Sequence, residues 1–167
     1  MIDGDPHEAV AIFRDILEDR RLAEIRPSED QPALAVTAIT ATPAHPGEHG
    51  ELAPGDDLFI DVTVTSDIGL DGCSVGIQID SVRGTAVWGT SSKRLGSVLP
   101  DAPGVTTMRF VLTNSQFGAG KYFLNVSIID ASGVHLHDWT QAASFDVADI
   151  AEAYGVVNTI PTFEITS

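Results

Sequence analysis

Before residue 33 apolar residues recur at three and four; after it they alternate with polar ones at a period of two. The first pattern predicts a helix over 5–23. Asp5 caps it, Pro6 suits the first helical position, and Glu8 completes a capping-box-like pair. Val10, Phe13, Ile16 and Leu17 form its apolar stripe, which needs a partner to cover it. Residues 26–32 turn to proline and charge and read as a linker.

The second pattern predicts strands over 34–41, 57–66, 73–81, 85–91, 105–113, 121–130, 134–141 and 144–147. Turn signals separate them, among them Pro54-Gly55-Asp56, Arg83-Gly84, Pro103-Gly104 and Ser132-Gly133. Short strands at this spacing with no helix between them predict an all-β, two-sheet antiparallel sandwich, with a barrel as the alternative. The expected division is therefore 1–32, helix and linker, and 33–167, sandwich. Behind Pro161, Phe163-Glu164-Ile165 is a short isolated alternation that would pair at home or on a neighbour's sheet edge.

Charge narrows the partners. With 24 acidic and 9 basic residues the formal charge is −15, which repels nucleic acid and anionic lipid headgroups. Plain solubility is the competing account of that charge. At 167 residues and 43% hydrophobic, the chain has enough for one good core. Cys73 is the one cysteine, which precludes an intrachain disulfide, and its apolar setting makes it a small core residue. No stretch approaches the roughly 20 apolar residues of a membrane span. The acidic start without an apolar run gives no secretory signal, so the expected address is cytoplasmic.

Enzymatic signatures are missing: there is no phosphate loop, no Gly-x-Ser-x-Gly elbow and no His-Glu-x-x-His. His135 and His137 stand two apart on a predicted strand, the spacing that lets two imidazoles share a face and chelate a metal. A third local ligand is lacking, with His7, His45 and His49 in the helix or loops, so neither metal nor cofactor is expected. Strict alternation places Tyr122, Leu124, Val126 and Ile128 inward and Phe123, Asn125, Ser127 and Ile129 outward. Continued into the next strand, it sets Val134 and Leu136 against His135, His137 and Trp139. Gln78 and Arg109 are outward on their strands, and Trp88 is ambiguous. A face of indole, amide, hydroxyl and imidazole suits a sugar, with Trp139 stacking on the ring and the planar groups taking its hydroxyls. The competing reading makes Trp139 and Trp88 core or edge-covering residues.

The run Gly76-Ile77-Gln78-Ile79, Gly84 with Val87-Trp88-Gly89-Thr90, Met108-x-Phe110, Gly120-Lys121-Tyr122, Asp130-x-x-Gly133, Leu136-x-Asp138 and Phe145-x-Val147 resembles the C-terminal domain of Wzt-type polysaccharide ABC transporters. Tyr154-Gly155-Val156-Val157 is similar to that family's closing segment. Residues 3–13 look like the end of its nucleotide-binding domain, which is otherwise absent. The resemblance implies an immunoglobulin-like sandwich and a homodimer in which terminal strands are exchanged. It also implies recognition of a lipid-linked glycan of the O-antigen kind, beside the transporter's nucleotide-binding and transmembrane subunits, at the cytoplasmic membrane face. The expected function is then non-catalytic glycan binding through Trp139, His135, His137, Asn125, Ser127, Gln78, Arg109 and Trp88. The alternative is a dimerisation or docking domain with no sugar affinity.

Overall fold

The computed structural model describes residues 33–159 and 161–166, so the helix expected over 5–23 and the linker over 26–32 lie outside the described residues. Seven strands follow in order: β1 (Leu34–Pro43), β2 (Leu58–Ser66), β3 (Ser74–Ser81), β4 (Ala86–Ser91), β5 (Gly104–Leu112), β6 (Gly120–Ile129) and β7 (His135–Val147). The two segments expected at 134–141 and 144–147 are one strand, β7. β1, β2 and β5 form one sheet in that order; the other runs β4-β3-β6-β7, and every strand pairing is antiparallel.

Alternation does the folding work. Leu58, Ile60, Val62 and Val64 of β2 are fully buried, as are Val75 and Ile79 of β3 and Leu124 and Ile128 of β6. Burial of each such side chain contributes about 1.5–3 kcal/mol before chain entropy is counted. Together with Ile77, Phe110 and Val126 they make one core between the sheets. Cys73 packs half-buried against it, and burial pushes its thiol up.

Two devices hold the ends. Tyr122, at the start of β6, donates its hydroxyl to the Gly118 carbonyl at 2.8 Å, the tyrosine corner of immunoglobulin-like sandwiches. Its ring stacks on Phe145 at 5.4 Å and meets Phe117 at the same distance. Between β6 and β7, Asp130 Oδ1 accepts from Ser132 Oγ, Ser132 N and Val134 N. Gly133 closes that turn at φ 90°, a left-handed value that favours glycine.

After β7 the chain returns to the Phe117 corner. Gly118 N donates to Val156 O and Asn158 N to Gln116 O, flanking a Phe117–Val157 bridge. A Cβ on Gly118 would overlap the Gly155 carbonyl, so glycine is required there for close approach rather than for its dihedrals. Residues 161–166 carry no strand, and Phe163 and Ile165 are 89% and 88% exposed.

Candidate functional site on the four-stranded sheet

Residues directly opposite one another in an antiparallel pair share a face, so the register decides which side chains meet. On β3 and β6, Gln78 pairs with Asn125, Gly76 with Ser127 and Asp80 with Phe123. All lie on the outer face, because their neighbours Ile77, Ile79, Leu124 and Val126 fill the core. β4 adds Ala86, Gly89 and Ser91 to that face, opposite Asp80, Gln78 and Gly76. The result is a low floor of glycine, alanine and serine, with taller polar side chains along β3 and β6.

Those side chains are linked. Gln78 Nε2 donates to Asp80 Oδ1 and Asn125 Nδ2 to Asp80 Oδ2, each at 2.7 Å. Asn125 Oδ1 accepts from the backbone N of Gln141 at 2.8 Å. That last bond explains a break in β7. Thr140, Gln141 and Ala142 stand across from Asn125 alone, and Gln141 adopts φ 50°. Asn125 fills the gap and satisfies the displaced amide.

A second irregularity corrects the one-face reading of β7. The register shifts between Ile128 and Ile129, so His135 pairs with outward Ile129 while His137 pairs with inward Ile128. His135 and His137 therefore occupy opposite faces, not the one face that their two-apart spacing predicted. Among the described residues, no group of three or more histidine, cysteine or acidic side chains converges as a metal site. Trp139, opposite Val126, is on the core-facing row of this edge strand and keeps 37% of its surface exposed. His137 Nε2 is buried without a partner, and desolvation lowers the imidazole pKa.

Asp138 takes the outward place instead, opposite Ser127. His135 Nδ1 donates to Asp138 Oδ1 at 2.7 Å; because a carboxylate accepts, the ring proton sits on Nδ1. Trp88 is likewise corrected to the inner face. It pairs with Ile79 and packs half-buried against the core.

Arg109 belongs to the other sheet altogether. It lies on β5 opposite Asp61, to which its Nε and Nη2 donate at 2.7 and 2.8 Å. Its guanidinium also sits 4.8 Å from the Phe59 ring centroid. The arginine holds the Asp61 carboxyl below the usual range through that hydrogen bond and its charge.

Of the eight candidates, the structure thus brings together Gln78, Asn125, Ser127 and His135. It adds Asp80, Asp138 and half-buried Phe123, which sequence reasoning did not select. Alternation places Phe123 outward, and Asp80 follows outward Gln78 by two residues, so their signal was available. Asp138 was hidden by the register shift.

These features define a two-sheet antiparallel β-sandwich module with a polar outer face on its larger sheet. The chain belongs to the Wzt C-terminal domain family, whose model matches residues 36–159. It is similar to the crystal structure of the C-terminal domain of Wzt, with a TM-score of 0.63 at 16% identity, over 87% of this chain and 96% of that one. A lesser likeness, TM-score 0.43 at 20% identity, covers 75% of this chain and 94% of a CARDB domain from Pyrococcus furiosus solved with di-metal ions. A Bifidobacterium dentium β-glucuronidase matches at TM-score 0.44 and 18% identity, over 68% of this chain and 18% of the enzyme. At such TM-scores neither carries functional weight. No curated protein matches the chain. Family membership implies a role in an ABC transporter for polysaccharide export, as a non-catalytic domain. Among the described residues, no helix is long and apolar enough to cross a membrane.

Proposed function

We propose that this domain recognises the polysaccharide its transporter exports, through the outer face of the β4-β3-β6-β7 sheet. The observation that carries the reading is the composition of that face in a domain of this family. Planar amides, carboxylates and serine hydroxyls surround a small-residue floor, with Phe123 as the aromatic for a sugar ring. Gln78 and Asn125 orient Asp80, and His135 orients Asp138, so both carboxylates are preset to accept sugar hydroxyls. Binding at one shallow face is weak, and presentation by a homodimer raises it through avidity. The glycan is lipid-linked, of the O-antigen kind, met at the cytoplasmic side of the membrane beside the nucleotide-binding and transmembrane subunits.

Titration of the chain with its own transporter's export polysaccharide, read by calorimetry against an unrelated polysaccharide, tests this. Saturable, selective heat is expected; silence with the correct glycan overturns it. A docking role is the second reading, favoured by the exposure of Tyr154, Phe163 and Ile165 at 99%, 89% and 88%. It predicts no sugar heat, but loss of self-association when 159–167 are removed.

A further inference from the structure

Resting on the glycan reading, we infer that the outer face of the four-stranded sheet selects a neutral, hydroxyl-rich sugar segment and rejects phosphate-, sulfate- or uronate-bearing ones. The inference comes from which charges occupy the face and how each is engaged. Its two central carboxylates are Asp80, between Gln78 and Phe123, and Asp138, beside Ser127. Each Asp80 oxygen takes one amide N–H, and Asp138 takes one imidazole N–H. A carboxylate oxygen accepts more than one hydrogen bond, so acceptor capacity is left for a ligand that donates. Sugar hydroxyls donate. Phosphate, sulfate and uronate groups at neutral pH are acceptors and carry the same sign.

Among the described residues, cations do not offset this. Arg109, expected here from sequence, is on the other sheet and engaged in two bonds to Asp61. Lys121 is at the far end of β6, directly across from Asp146. Arg83, Lys93 and Arg94 are in the turns at the two ends of β4, outside the paired rows. His135 is the one basic side chain among the central rows, and it is bonded to Asp138. The chain's charge of −15 adds a long-range field of the same sign as the two carboxylates. Like-charge juxtaposition is the element that excludes wrong partners, while the hydroxyl-carboxylate bonds favour the right ones.

The test is a binding panel on the full chain. Neutral oligosaccharides of mannose, galactose, glucose, rhamnose and N-acetylglucosamine are each set against a phosphorylated or uronate counterpart of equal length. At least one neutral member is expected to bind about tenfold or more tightly than its anionic counterpart, the gap widening as salt is lowered. Asp138→Asn is expected to narrow the gap, and Asp80→Asn to do the same if the amide linkage tolerates it. An anionic member binding as tightly as its neutral counterpart overturns the selectivity and leaves glycan recognition standing. No member binding, together with silence from the export polysaccharide, overturns both.

Discussion

Asn125 illustrates how one side chain serves structure and site together. Its Oδ1 satisfies the Gln141 amide in the β7 bulge while its Nδ2 holds Asp80. Replacement by alanine leaves the bulge amide without that acceptor, a loss of about 1–3 kcal/mol if it stays desolvated. Asn125→Ala is therefore expected to lower the denaturant midpoint and to weaken any ligand that depends on Asp80. An unchanged midpoint would show that the bulge does not need the clamp. His137 makes a pH prediction of defined sign. Desolvation lowers its folded pKa below the ordinary 6.5, so between the two values the unfolded chain binds a proton that the folded one does not. Its contribution to stability is thus retained above the unfolded pKa and lost as pH falls through about 6.5 toward the folded value. Urea titrations across that range are expected to show the decline, and His137→Phe to flatten it.

At the scale of elements, alternation was enough to read the strands, because a half-buried sheet leaves a period-two trace that tertiary context does not alter. The β6 partition into Leu124, Val126 and Ile128 inward and Asn125 and Ser127 outward follows from it directly. Tyr122, which the same alternation set inward, forms the corner with Gly118. β7 was not legible in the same way. A register shift of one residue reverses every face beyond it, and nothing in His135-Leu136-His137 marks where the extra residue falls. That one shift separates His137 and Trp139 from His135 and brings Asp138 outward. The gap between segments 134–141 and 144–147 was the trace of the second bulge, centred on Gln141. Arg109 was misplaced for another reason: alternation gives a residue's face but not its sheet. The corner where 156–158 meet 116–118 offers an element-scale test. Gly118→Ala sets a Cβ into the Gly155 carbonyl and is expected to release that segment, seen as faster amide exchange at Asn158 with β2 still protected. Unchanged protection would mean the corner yields without opening.

For the whole molecule, the two sheets carry different chemistry on their outer faces. The three-stranded sheet shows the Asp61–Arg109 pair on Phe59 and a threonine ladder, with Thr63 and Thr107 hydroxyls 3.1 Å apart. Polar groups there engage one another across strands. The four-stranded sheet instead holds two carboxylates with acceptor capacity over a floor of small residues. Exposed Phe163 and Ile165 suit pairing with a second copy. If this segment pairs two copies, a chain shortened after residue 158 is expected to halve its mass in light scattering, and an unchanged mass would exclude that pairing.

The most direct measurement compares two variants in calorimetric titration with the export polysaccharide. Ser127→Trp fills the centre of the four-stranded face, whereas Arg109→Ala alters only the opposite sheet. With both variants folded by circular dichroism, affinity is expected to fall at least about tenfold in the first and to stay at the parent value in the second. Retention of full affinity by Ser127→Trp, or its loss in Arg109→Ala, would contradict recognition by the β4-β3-β6-β7 face.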